Sequence, residues 1–275
     1  MPEVIVNADD FGATAGMTAA IVQAHDNGVV NSTSLMVTMP FVTEAVARAK
    51  KRPDLKVGLH LNLTNCTSAA PAAEIPLLVD ENGRFKNGFL NLLLLSFFRP
   101  KALRRQIETE AKAQLSLMQQ TGLPVSHIDS HRHVHMIPLI FKIVEKLAAE
   151  NGISRIRVVN ENILNTMACN KGDFSFLFDG GIVKYAVLRA LAFWNARKTD
   201  TYFYSILYTG KLFKKRFLDL KIPKKYAKIE IGIHPGRPDI EQQHPEGVYD
   251  PYVLSENRSG ELETVLDKTL TGRIL

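Results

Sequence analysis

Short apolar runs alternate with helical patterns along residues 4–160, and this alternation restricts the chain to a parallel α/β fold. Val4-Ile5-Val6 reads as a buried strand, Ala13 to Asn27 as a helix with Gly28 as its stop, and Ser34-Leu35-Met36-Val37 as a second strand. Val42 to Lys51 is a helix ended before Pro53, and Val57-Gly58-Leu59-His60-Leu61 is a third strand. A helix over Arg104 to Gln120, a strand near Val125 to Asp129 and a helix over Leu139 to Asn151 follow. Strands at Ile156-Arg157-Val158-Val159 and Ile229 to Ile233 complete the series. Strands separated by helices pair in parallel through crossover connections. The 275 residues fit one (β/α) barrel, which takes about 250.

Composition excludes several classes. Hydrophobic residues make up 45% and charged residues 23%, so there is ample apolar surface to build a core. Two cysteines, Cys66 and Cys169, rule out a disulfide scaffold and a Cys-rich zinc module, and fit a reducing compartment. No apolar run reaches the ~18–20 residues of a membrane span. Met1-Pro2-Glu3 leads into an apolar run without a basic segment, unlike a signal peptide. The expected location is cytoplasmic. A net charge of +6 permits an anionic partner, but no nucleic-acid motif is present.

Four segments place polar residues at the ends of apolar strands, the end that faces ligand in α/β folds. Asn7-Ala8-Asp9-Asp10-Phe11-Gly12 puts two adjacent carboxylates after a buried strand. One can ligate a metal while its neighbour acts as a base, or Asp10 can simply cap the next helix. Gly58-Leu59-His60-Leu61-Asn62-Leu63 carries a histidine in an apolar strand, which is more often a satisfied core residue than a ligand. His127-Ile128-Asp129-Ser130-His131-Arg132-His133-Val134-His135 holds four of the eight histidines at every second position, with Asp129 in phase. In an extended segment these side chains share one face, and imidazole is the commonest ligand for divalent metals. Ile231-Gly232-Ile233-His234-Pro235-Gly236 ends another strand with a histidine suited to general acid chemistry, or merely preceding a turn. One Asp and two His from separate strands would form a three-ligand hydrolytic metal site with open positions.

These segments, with Asn31-Ser32-Thr33-Ser34-Leu35-Met36-Val37 and Ser255-Glu256-Asn257-Arg258 before Glu261-Leu262, resemble the YdjC-like carbohydrate deacetylases. That group includes chitooligosaccharide deacetylase and the hopanoid-associated HpnK proteins. The resemblance is dense over residues 4–160 and returns at 229–270. It implies a distorted TIM-like (β/α) barrel, a single domain over 1–275 with a divergent, insert-like region at about 161–228. It implies a divalent metal, Mg2+ or Zn2+, held by Asp10, His60 and His131. Asp9 would be the base that deprotonates water, and His234 the acid that protonates the leaving amine. The implied reaction is hydrolysis of an N-acetyl group on an amino sugar, as an oligosaccharide or a lipid-linked glycan, with release of acetate. Family members often carry His at the position of Arg132, a departure that spares His131 and bears on substrate contact.

Two stretches stand apart. Phe89 to Phe98 is almost wholly apolar and is followed by Arg99, Lys101, Arg104 and Arg105. Residues 211–228 hold seven Lys and one Arg against the single acid Asp219. An apolar wedge beside cations suits peripheral contact with an anionic membrane at its inner face, and with it a glycolipid substrate. Apolar helices usually pack in cores, however. The expectation is therefore that 89–98 and 182–194 are buried barrel helices and that the Lys run is a solvated face. Homodimer formation is left open. The competing functions are a metal-dependent hydrolase of another amide or a phosphoester on the same barrel, and a basic, non-catalytic binding protein.

Overall fold

In a computed structural model of the protein, residues 2–170, 173–178, 180–195, 197–218, 220, 223–244 and 250–270 are described. In chain order the elements are β1 (Glu3–Phe11), α1 (Ala15–Asn27), β2 (Ser32–Leu35), α2 (Val42–Ala49), β3 (Lys56–Leu61), α3 (Phe89–Phe98), α4 (Pro100–Gln120), β4 (Val125–Ser130) and α5 (Pro138–Glu150). They continue with β5 (Arg155–Ile156), α6 (Ile163–Cys169), α7 (Gly181–Asn195), β6 (Thr201–Tyr204), α8 (Lys214–Leu218), β7 (Lys228–Ile233), α9 (Pro238–Glu241) and α10 (Glu256–Leu266). The chain is α/β, and the registered strand pairs are parallel.

The chain forms two compact units. One comprises Met1–Asp9, Ala15–Thr33 and Val158–Leu275; the other comprises Asp10–Thr14 and Ser34–Arg157. In the second unit the strand order is β5-β4-β3, continued by the end of β2. Register pairs His60 of β3 with Asp129 of β4, and Leu61 with Ser130. Helix α4 opens with Pro100 at its first turn, where a missing N–H costs nothing. It buries Leu103, Ile107, Ala111, Leu115 and Met118 at helical spacing and packs on β3 and α5. Each buried Leu, Ile or Met among these contributes about 1.5–3 kcal/mol. A second row on α4, Gln106, Glu110 and Gln114, clips the loop after β3. Gln114 pairs with both backbone groups of Asn62, Glu110 accepts from the N–H groups of Ala69 and Ala70, and Gln106 accepts from that of Leu77.

Gly58 is dictated by the neighbouring strand. A Cβ there would lie 2.3 Å from the His127 ring, so only glycine lets that imidazole lie flat against β3. His127 is buried, and burial, with Arg155 alongside, pushes its pKa well below the ordinary value, so the ring is neutral. Its Nδ1 accepts from Arg155 and its Nε2 sits 3.0 Å from Ser34 Oγ.

In the first unit the order is β1-β7-β6, with the start of β2 on the other side of β1. Register runs from Glu3 opposite Lys228 to Ala8 opposite Ile233, so the next residues, Asp9 and His234, leave the two strands side by side. Strand β6, with the sequence TYFY, lies in the stretch whose sequence gave no strand. Its aromatic and β-branched residues are all buried, the usual composition of a sheet interior.

Element boundaries differ from expectation where local chemistry intervenes. The strand expected at 156–159 is only Arg155–Ile156; Arg157 still donates its N–H to Ile128 O, and its side chain lies on Asp129. The strand expected at 34–37 is Ser32–Leu35, displaced toward three buried polar residues that satisfy neighbouring strands.

The expected burial of 89–98 and 182–194 is not met. In α3 only Leu92 is buried, and in α7 only Leu188, Leu191 and Ala192 are. A helix that is apolar all round but packed on one side, as α3 is on α4 and on the turn at 131–136, buries a single stripe and leaves the rest in solvent. The basic run is a solvated face in part, with Lys215, Lys224 and Lys225 exposed, and is in part tied down by acids. Lys214 pairs with Asp267, Arg216 with Asp173 and Lys228 with Glu3, while Asp219 and Lys221 lie outside the described residues. No described helix is long and apolar enough to cross a membrane.

Candidate metal centre

Asp10, His60 and His131 come together within the second unit. One ligand atom from each lies within 4.8 Å of the others, and all three reach this point from different elements. Asp10 sits near the end of β1 with φ +69°, in the left-handed region, where the chain turns so that the N–H of Ala13 donates to Asp10 O. Gly12, at φ +80°, completes the turn against Leu35 and Val42. His60 is fixed by the β3–β4 register and is 1% exposed.

His131 is presented by a strained turn. The extended face expected for the whole histidine tract ends at Ser130, where β4 stops. Arg132 and His133 then both take φ +55°, each costing about 1–3 kcal/mol in a non-glycine residue. The buried His135 secures this turn. Ser130 Oγ accepts from the His135 N–H and lies 2.6 Å from its Nδ1, while Nε2 donates to the Arg157 carbonyl. Burial pushes the His135 pKa down to about 4, so the ring stays neutral at physiological pH. Of the four histidines in the tract, His131 alone belongs to the three-residue cluster. His127 bonds the side chains of Ser34, Ser126 and Arg155, His135 braces the backbone, and His133 is buried beside His135, with ring centroids 6.4 Å apart.

Within the cluster, His131 Nδ1 lies 2.9 Å and His60 Nε2 3.5 Å from Asp10 Oδ1. The other nitrogen of His60, Nδ1, lies 2.7 Å from Asp129 Oδ1. Asp129 is fully buried, which alone would raise its pKa. The Arg157 guanidinium, 2.6 Å away, and His60 outweigh burial and hold the carboxyl well below its usual range. Ser34 Oγ donates to its second oxygen. An ionised Asp129 fixes the His60 tautomer with Nδ1 protonated and Nε2 free to ligate, the support that metal-bound histidines ordinarily receive. One carboxylate and two imidazoles, one of them backed by a carboxylate, are a donor set that fits a divalent cation.

Asp9 and His234 come together in the first unit. His234 Nε2 lies 3.8 Å from Asp9 Oδ2. Asn7 donates to the other Asp9 oxygen at 2.8 Å and is itself held by Ser32 Oγ. Asn31 bonds the backbone of Val4 and Val6, and Thr33 bonds Ala8 O, so the polar residues before and within β2 are fasteners for β1. Glu261 of α10 accepts from the backbone N–H groups of His234 and Leu212. Its burial, with Asp9 nearby, pushes its pKa up to about 7 against the two hydrogen bonds and Arg258. Glu261, Arg157 and the bracing role of Asp129 were not found from sequence. Only the in-phase position of Asp129 signalled it, since its partners are set by register and by residues 28 and 95 positions away.

Two predictions follow from these partners. Asp129→Asn weakens Zn2+ binding about 10–100-fold by isothermal titration, because His60 loses its orienting carboxylate. It also lowers the urea midpoint, because buried Arg157 loses the ionised carboxylate 2.6 Å away. Glu261 has a folded-state pKa raised above 4.5, so the native state holds a proton that the unfolded chain releases. Stability is then full below about pH 4.5, falls as pH rises toward 7 and levels off above it. Glu261→Gln removes that decline, which urea unfolding at pH 4.5, 6 and 8 measures; an unchanged slope contradicts it.

The family model described as YdjC-like protein matches residues 3–274. A carbohydrate deacetylase of Brevibacillus brevis is 46% identical over 148 residues, 54% of this chain and 56% of that protein. Carbohydrate deacetylases of Geobacillus stearothermophilus and Vibrio parahaemolyticus are 44% and 41% identical, over 52% and 55% of this chain and 55% and 57% of theirs. The chain thus matches little more than half the length of these curated relatives. A solved structure from Enterococcus faecalis V583, of a proposed cellobiose-phosphate cleavage protein, superposes with a TM-score of 0.72 at 25% identity, covering 99% of this chain and 94% of that one. Its likeness over nearly the whole chain gives the same α/β fold, consistent with a distorted TIM-like barrel. With the family model matched almost from end to end, the chain belongs to the YdjC-like protein family.

Proposed function

We propose that the protein is a metal-dependent carbohydrate N-deacetylase, removing the acetyl group from an N-acetylated amino sugar and releasing acetate. The observation that carries the reading is the Asp10, His60 and His131 cluster with Asp129 behind His60. The relatives named carbohydrate deacetylase support the reaction class.

Asp10, His60 and His131 would hold one divalent ion. Two imidazoles favour zinc or another transition metal over magnesium, which prefers oxygen ligands and water. When bound, the ion supplies Lewis acidity to the acetyl carbonyl and lowers the pKa of water. Asp9, held by Asn7, accepts the proton of the attacking water. His234 donates a proton to the departing amine nitrogen, which is a poor leaving group without one. Glu261 anchors the His234 backbone and so sets where that ring stands. Acceptors are oligosaccharides or lipid-linked glycans.

The test is acetate release from N-acetylglucosamine, diacetylchitobiose and an N-acetylglucosaminyl lipid, with Zn2+ or Mg2+ and with chelator. Release that needs metal and falls at least about 100-fold in Asp9→Asn is expected from loss of a general base. Metal-loaded protein that releases no acetate from any acceptor contradicts the reading and turns attention to phosphoesters on the same fold.

A further inference from the structure

We propose that the chain docks on an anionic phospholipid bilayer through α3 and the first turns of α4. Helix α3, FLNLLLLSFF, exposes Leu90, Leu94, Phe97 and Phe98 at 64%, 44%, 61% and 79% of their surface. Contiguous large apolar side chains left in water mark a binding face. At 1.5 Å per residue the ten residues span about 15 Å, half the ~30 Å hydrocarbon core, so the helix lies in an interface and does not cross it.

The charge around α3 names the occupant. From Asn82 to Ile107 the chain has six cations, Arg84, Lys86, Arg99, Lys101, Arg104 and Arg105, and no Asp or Glu. Arg99, Lys101, Arg104 and Arg105 are exposed. Apolar side chains that enter the acyl boundary, with cations beside them at headgroup level, are the pattern of a helix seated on anionic lipid. A second copy fits less well. A two-fold contact sets a patch against itself and would oppose this acid-free basic segment with its own copy.

Docking does not depend on the deacetylase reading. Its corollary does: if that reading holds, the acceptor is an amino sugar carried on a lipid, met at the surface where the protein is bound.

The experiment is flotation of the full chain with phosphatidylcholine vesicles, with and without phosphatidylglycerol, at low and high salt. Wild-type protein is expected to float with the anionic vesicles, to release as salt rises, and to ignore neutral ones. Phe97→Ser/Phe98→Ser and Arg104→Glu/Arg105→Glu are each expected to weaken binding about tenfold or more, with unchanged circular dichroism and urea midpoint. No flotation at low salt overturns the proposal, as does equal binding by both variants. A lipid-free dimer in sedimentation that Phe97→Ser/Phe98→Ser dissociates, without vesicle binding, also overturns it by assigning the face to a second copy. Acetate release from soluble sugar is read separately, so failure of docking and failure of the deacetylase reading are told apart.

Discussion

A single buried carboxylate organises the second unit. Asp129 is fully enclosed, and it can remain ionised there only because Arg157, His60 and Ser34 surround it. Each partner is thereby committed. Arg157 lays its guanidinium on the carboxylate while its N–H still donates to Ile128 O of β4, Ser34 donates to it from β2, and His60 is left with one nitrogen to offer. The charge that costs most to bury is also the one that decides which atom of His60 faces Asp10 and His131. Removing it would take a carboxylate partner from both buried Arg157 and His60, so the packing of this unit and the orientation of His60 rest on the same group.

The first unit solves a parallel problem with neutral donors. Asp9 is oriented by Asn7, Asn7 by Ser32, and the backbone of His234 by Glu261. These links explain why Ser32, Thr33 and Ser34 are polar yet buried. Asn31, Ser32 and Thr33 serve β1, and Ser34 serves β4. Stored backbone strain belongs to the second unit, at Asp10 and directly after His131. Asp10, Arg132 and His133 are left-handed, and the His135 hydrogen bonds hold the second of these turns against its preference.

Much of this was legible in the sequence, for identifiable reasons. Strand and helix alternation follows from hydrophobic period, so β1, β3, β4, β7, α1, α4 and α5 are found close to where they were expected. Polar residues at strand ends marked Asp9, Asp10, His60, His131 and His234 as candidates, while their separate roles came from family resemblance. The histidine tract misled because period-two spacing was read as one extended face, whereas two left-handed residues fold it back after Ser130. Glu261 and Arg157 were missed because their importance lies in contacts set by tertiary packing, which no local pattern encodes. The apolar helices α3 and α7 were expected inside because hydropathy measures how apolar a segment is and not which neighbours are available to cover it.

The central claim is that Asp10, His60 and His131 are the ligands of one divalent ion. Anomalous diffraction at the zinc edge from crystals grown with Zn2+ tests it most directly. The account predicts one strong peak bonded to an Asp10 oxygen, His60 Nε2 and a His131 ring nitrogen, with His60 Nδ1 still on Asp129. A peak bound elsewhere, or none among these three side chains at saturating Zn2+, would contradict it.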